Sequence, residues 1–68
     1  MITKKSLVDK LVETKLVLSK AEGRRVIAMG GVFVNEERVS DPQIELLDSA
    51  IDRIRVGKTK VWEREDNE

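Results

Sequence analysis

The stretch Ser19-Lys-Ala-Glu-Gly-Arg-Arg-Val-Ile-Ala-Met-Gly-Gly-Val-Phe-Val-Asn-Glu-Glu-Arg-Val39 sets out a helix, a stop and a hairpin in that order. Ser19 and Glu22 stand at the spacing of a capping box, so a helix is predicted over about residues 19–29. Gly30-Gly31 stops it, because a residue just past a helix end favours a left-handed backbone that Gly takes without penalty. Val32-Phe33-Val34 and Glu37-Arg38-Val39 then flank Asn35-Glu36, which reads as a hairpin over about 32–39 closed by a two-residue turn. Asn35 accepts positive φ cheaply. Glu36 sits where Gly would normally follow, so strain is expected there.

Outward from this stretch the signals weaken. On the N-terminal side, Ser6 followed by Asp9 resembles a helix start, and Leu7, Val8, Leu11 and Val12 share one helical face, giving a helix over about 6–13 and a connector from Thr14 to Leu18. On the C-terminal side, Ser40-Asp41-Pro42 ends the strand, since Pro lacks the amide proton and restricts its predecessor. Gln43 to Ala50, with Ile44, Leu46 and Leu47, is expected to wrap apolar groups over the core with a helical turn. From Ile51 the pattern alternates, and a second hairpin is predicted over about 52–64 around a Gly57-Lys58 turn. The fold class is α+β: two short N-terminal helices packed on a small twisted, mainly antiparallel sheet of about four to five strands. Residues 1–64 form one domain in this reading, and 65–68 a disordered acidic tail.

Composition narrows the function. The chain has 68 residues with no Cys and no His, so neither a disulfide framework nor a usual structural zinc site can be built. A Ser-His-Asp or Cys-His triad is excluded as well, and Asp and Glu form no recognisable catalytic constellation. The chain is therefore read as no enzyme on its own, with no cofactor and no metal. No apolar run approaches the ~20 residues of a membrane span, and the start lacks the apolar segment of a secretion signal; no membrane partner and a cytoplasmic location are expected.

The formal net charge is zero, but the mean hides segments of opposite sign. Residues 1–35 sum to +4, 36–52 to −5, 53–64 to +4, and the last four residues to −3. If the cationic stretches fold together, one face can be strongly positive while the molecule stays neutral, which is what phosphate binding requires. In the second helix, Lys20 and Arg24 lie roughly 40° apart on the wheel and Arg25 a further ~100° round. Each could meet RNA, or pair with Glu22, Asp41 or the acidic connector. In the second hairpin, a two-residue turn pairs Arg55 with Lys60 and Arg53 with Trp62, placing all four opposite the apolar Ile54, Val56 and Val61. Facing cations are mildly destabilising in a sheet. A phosphate would justify them, and a merely solvated face would tolerate them. Trp62 is either a lid on a small core or a base-stacking platform.

From Leu11 to Pro42 the chain resembles the RNA-binding module first described in ribosomal protein S four. The family's order of Ser-(Lys/Arg)-x-x-Ala-Arg-Arg-(Leu/Ile)-Ile helix, Gly-Gly and hairpin is matched by Ser19 to Val39. Within that superfamily, Leu-Val-Glu-Thr from Leu11, Gly-Gly-Val-Phe-Val-Asn from Gly30, Val-Ser-Asp-Pro from Val39 and Arg-Val-Gly-Lys-Thr-Lys from Arg55 are most similar to the C-terminal domain of bacterial tyrosyl-tRNA synthetases. The likeness runs from Ser6 to Arg64. It implies a tRNA clamp that grips tyrosine tRNA near its variable arm and anticodon stem. It matches Lys20, Arg24 and Arg25 to the family's basic helix, and Arg55, Lys58 and Lys60 to its last basic hairpin.

Four departures stand out against the family pattern: Lys15 where Gly is usual, Gly23 where Ala is usual, Glu36 at the hairpin Gly, and Ala28 where a further Lys often sits. The first three imply reduced stability, the fourth a weaker or shifted RNA footprint. The expected RNA-binding set is thus Lys20, Arg24, Arg25, Arg53, Arg55, Lys58, Lys60 and Trp62, with tRNA as partner. The parent synthetase's catalytic domain is a further partner if the chain is an excised domain. A free-standing module acting on ribosomal or transfer RNA, or a protein-interaction module with decorative charges, are the other readings.

Overall fold

The computed structural model describes residues 4–64, so the acidic tail expected at 65–68 lies outside the described residues. The elements run β1 (Lys4–Ser6), α1 (Leu7–Glu13), α2 (Lys20–Ala28), β2 (Val32–Val34), β3 (Glu37–Val39), β4 (Glu45–Leu47), a 3-10 turn at Asp48–Ala50, β5 (Arg53–Val56) and β6 (Lys60–Glu63). The class is α+β as expected. The strands divide into two antiparallel sheets, however: a four-stranded one in the order β3-β2-β5-β6, and a separate pair, β1-β4.

Ser6 ends β1 as well as preceding α1. Its side chain makes no capping hydrogen bond, and the Leu7 amide instead donates to Ile44 O at 3.1 Å, continuing the β1-β4 ladder. Helix α1 therefore starts from a strand, not from a side-chain cap. Its far end is a Schellman motif: Lys15 N donates to Val12 O and Leu16 N to Leu11 O, each at 3.0 Å, with Lys15 in the left-handed region at φ 64°. The accompanying apolar contact is supplied by Leu11 and Leu16, both buried.

Helix α2 is capped as its sequence requires, with Ser19 Oγ accepting from Glu22 N at 3.2 Å. It ends in a second Schellman motif on Gly30 at φ 76°, whose amide donates to Ile27 O at 2.9 Å while Gly31 N reaches Val26 O at 3.0 Å. The helix buries Gly23 and Ile27, one turn apart. A Cβ on Gly23 would lie 3.3 Å from Val8 Cγ1 and 3.5 Å from Val17 Cγ2. The departure from Ala at this position thus lets α2 sit close on α1, and the space is already filled by neighbouring methyls.

Alternation along the four-stranded sheet sends Val32, Val34, Ile54 and Val56 inward, where they join Leu7, Leu11, Ile27 and Ile51 in one core. Phe33, Arg53 and Arg55 face the other way.

The second hairpin differs from its expected register. Its loop has three residues, Gly57 to Thr59, so Ile54 pairs with Trp62, Arg55 with Val61 and Val56 with Lys60. One residue of slip turns every β6 side chain over. Trp62 and Lys60 lie on the core side, and Val61 points out at 43% exposure. The physical gain is plain: Trp62 packs against the core, and the Arg55–Lys60 repulsion of the two-residue turn is avoided.

The first hairpin has the expected two-residue turn with positive φ at both centres, 51° at Asn35 and 69° at Glu36. A non-Gly residue there costs about 1–2 kcal/mol. Glu36 recovers little of this, since its one side-chain polar partner among the described residues is Arg53 Nη1 at 3.4 Å on an exposed surface. Glu36→Gly is expected to stabilise the chain by about 0.5 kcal/mol after the unfolded-state entropy of Gly is subtracted. Lys15→Gly, at the same kind of position, is expected to do likewise. The midpoint of urea unfolding checks both, and a lowered midpoint in either would contradict the strained backbone.

Candidate nucleic-acid interface

Which cations can take a phosphate depends on which are already occupied. Lys10 is buried and spent: its Nζ donates to Asp48 Oδ1 at 2.6 Å and sits 4.6 Å from the Trp62 ring centroid. The Lys10 hydrogen bond holds the Asp48 carboxyl below the usual carboxylate range, outweighing the desolvation that opposes it. Arg64 is occupied as well. Its Nε and Nη2 donate to Ile51 O at 3.1 and 2.9 Å, Nη2 also reaches Asp48 O, and its backbone amide donates to Asp52 O at 2.8 Å. Lys5 pairs with Glu13 at 2.6 Å. These three cations hold the fold together.

Among the eight residues singled out by sequence, the structure separates occupied from free. Lys20 reaches Asp9 Oδ1 at 3.2 Å, and Arg53 is shared between Glu36 and Glu63 at 3.4 Å each. Lys60 Nζ donates to Leu16 O at 3.4 Å, tying β6 to the connector between the helices. Trp62 is half-buried on the core with Lys10 across its ring, which is the lid and not the platform. Arg24, Arg25, Arg55 and Lys58 are exposed and make no ion pair among the described residues. The pairings open to Arg24 and Arg25 in sequence, with Glu22, Asp41 or the acidic connector, are not made.

Geometry brings four of these residues into two patches and leaves Arg25, Lys58, Lys60 and Trp62 outside both. Lys20 and Arg24 line a shallow depression with Ser6, Val8, Pro42, Gln43 and two carboxylates, Asp9 and Glu45, where α2 meets the ends of β1 and the Pro42 turn. Arg53 and Arg55 line another with Phe33 and Glu36 on the outer sheet face. Phe33 ties the second patch together, with the Arg55 guanidinium 4.6 Å from its centroid and that of Arg38 at 5.8 Å. Arg38 lay outside the sequence-derived set because it falls in the acidic segment. Its signal was its place directly across the first hairpin from Phe33. Lys10 was missed too, although its spacing of three from Leu7 puts it at the edge of the apolar stripe.

Two helices, a Gly-Gly stop, a tight hairpin and a closing basic hairpin define a small α+β module with arginines left free on a helix and on a sheet face. Residues 1–60 match the family model described as the tyrosine–tRNA ligase SYY-like C-terminal domain, and the chain belongs to that family. A tyrosine–tRNA ligase of Fusobacterium nucleatum is 36% identical over 58 residues, covering 85% of this chain and 14% of the relative. That of Geobacter sulfurreducens is 48% identical over 50 residues, covering 74% and 12%. The ligase of Aquifex aeolicus is 44% identical over 55 residues, covering 81% and 14%. The chain thus spans a small fraction of the length of these relatives, and the family it belongs to is a C-terminal domain. No solved structure matches the chain significantly. Among the described residues, no helix is long and apolar enough to cross a membrane.

Proposed function

We propose that residues 1–64 act as one tRNA-binding unit, the non-catalytic C-terminal module of a tyrosine–tRNA ligase, working in the cytoplasm beside that enzyme's catalytic domain. The module grips tyrosine tRNA at its variable arm and anticodon stem through phosphates and shape, with few base contacts. Arg24 and Arg25 lead the contact from α2. Arg55 and Lys58 extend it from the second hairpin, and Lys20, Arg53 and Lys60 join by exchanging their present partners for phosphate. The observation that carries this reading is the sorting of charges: Lys5, Lys10 and Arg64 are paired within the fold, while Arg24 and Arg25, two of the three family basic positions on α2, make no ion pair among the described residues and only Lys20 meets a carboxylate, that of Asp9. The zero net charge that favours a protein-interaction module is an average over segments of opposite sign, and the fold keeps the free arginines exposed.

Changing Arg24 and Arg25 together to Ala tests the reading. Affinity for a tyrosine tRNA transcript is expected to fall about tenfold at moderate salt, with the log–log salt slope lower by about two. An unrelated structured RNA should weaken by a similar factor, since phosphates carry no sequence. Circular dichroism should stay native, because both side chains are exposed. Undiminished binding by this double variant would remove α2 from the contact surface.

A further inference from the structure

On the outer face of the four-stranded sheet one transverse row crosses every strand. Arg38 of β3, Phe33 of β2, Arg55 of β5 and Val61 of β6 stand directly opposite one another in turn. Both guanidinium carbons lie within 6 Å of the Phe33 ring centroid, at 4.6 Å for Arg55 and 5.8 Å for Arg38. Neither arginine makes an ion pair among the described residues, and both are exposed. The neighbouring Arg53 shows the alternative, since it takes two carboxylates on the same face.

A guanidinium held against an aromatic ring by cation–π attraction uses its flat face, and its in-plane N–H donors stay free. Each arginine is therefore placed without being satisfied. The Arg38 side chain also runs past the end of α2, with its Cδ 3.7 Å from where a Gly30 Cβ would stand, an ordinary packing distance. Glu36 lines the same depression, but its carboxylate is taken by Arg53, so the two like charges gathered on the Phe33 ring are left in want of an anion. The apolar surface alongside, from Phe33 and the exposed Val61, is of the kind a base can cover.

We propose that this row is a second RNA contact, distinct from the α2 arginines, which takes unpaired nucleotides. A base stacks on Phe33 and the guanidinium planes while the in-plane N–H groups of Arg38 and Arg55 donate to the adjoining phosphates. The proposal rests on the module being an RNA binder and adds which part of an RNA the sheet face takes.

The test uses the 68-residue chain with a short oligouridylate and a tyrosine tRNA transcript, titrated over a range of salt. Phe33→Leu leaves the charge unchanged, so a purely electrostatic surface predicts no effect. The row predicts a loss of about fivefold or more for oligouridylate with the salt slope unaltered, and near-normal binding by Phe33→Tyr, which keeps the ring. Arg55→Gln should instead lower the slope by a little under one. Urea midpoints of all three variants separate a loss of contact from a loss of fold. Wild-type binding of oligouridylate by Phe33→Leu would overturn the row, as would competition by polyglutamate or inorganic phosphate as effective as that by RNA. If Phe33→Leu is normal while the Arg24/Arg25 double variant is impaired, the row fails and the module reading stands. A wild-type chain that binds neither RNA overturns both.

Discussion

Replacing Asn35 by Gly should lower the stability of the chain by about 2–3 kcal/mol, although Gly adopts the same backbone with less strain. The Asn35 side chain bridges two distant parts of the sheet. Its Oδ1 accepts from Asp52 N at 2.9 Å and Arg53 N at 3.1 Å, and its Nδ2 donates to Ala50 O at 2.8 Å. Its own amide donates to Arg53 O at 2.8 Å. Three side-chain hydrogen bonds at about 0.5–1.5 kcal/mol each outweigh the relief of a left-handed residue, and Gly adds unfolded-state entropy on the same side. A chain of this size has only about 3–10 kcal/mol in all. The midpoint of thermal unfolding should therefore drop by roughly 10–20 °C. Asn35→Asp should fall between, because it keeps the acceptors for Asp52 and Arg53 but sets a carboxylate against the Ala50 carbonyl. A midpoint for Asn35→Gly within a degree or two of wild type would mean that the turn is not fastened to β5. The adjacent Glu36→Gly should move stability the other way, so two neighbouring residues with the same φ sign test partner bonds against strain.

These turn residues also mark what the sequence made legible. Ser19, Glu22 and Gly30 announce α2 because capping acts within one helical turn. Asn35-Glu36 announces its hairpin because the two strands it joins are adjacent. The β1-β4 pair was not legible: Lys4-Lys5-Ser6 and Glu45-Leu46-Leu47 show no alternation of their own, and each becomes a strand only by meeting the other across the chain. The second hairpin was legible as a hairpin but not in register. Gly57 suits a loop of two or three residues equally, and the choice falls to Trp62, which gains burial over Lys10 and opposite Ile54 only with three.

The candidate site divides along the same line. Exposed arginines on α2 could be read from charge and helical spacing alone, whereas their freedom could not, since it depends on carboxylates brought near by the fold. Lys20 and Arg24 look equivalent on a helical wheel, but only Lys20 meets Asp9 from α1. Arg53 and Arg55 look equivalent on a strand, but β6 brings Glu63 opposite Arg53 and Val61 opposite Arg55. The difference between a structural cation and an available one is long-range.

That difference sets the salt dependence of RNA binding, which should be steep but bounded. Arg24, Arg25, Arg38, Arg55 and Lys58 are exposed without ion pairs among the described residues, so about four to five phosphates should be neutralised at little internal cost. At about 0.7–0.9 counterions released per phosphate, the log–log slope should lie near −3 to −4.5. Between about 50 and 200 mM salt the affinity for tyrosine tRNA should then fall by roughly 60-fold at the shallow end of that range and roughly 500-fold at the steep end. Lys20 and Arg53 should contribute less than a full unit each, because salt also loosens the Asp9 and Glu63 pairs they must leave, and that loosening favours the RNA. A slope near −8 would mean that contact reaches well beyond these five, to the other exposed cations Lys4, Lys15 and Lys60 and to the paired ones, and that the two patches do not define the contact surface. A slope near zero would remove phosphate from the mechanism and leave shape and stacking to carry the affinity. The intermediate slope, falling by two in the Arg24/Arg25 variant and unchanged in Phe33→Leu, is the result that assigns the helix to phosphate and the ring to bases.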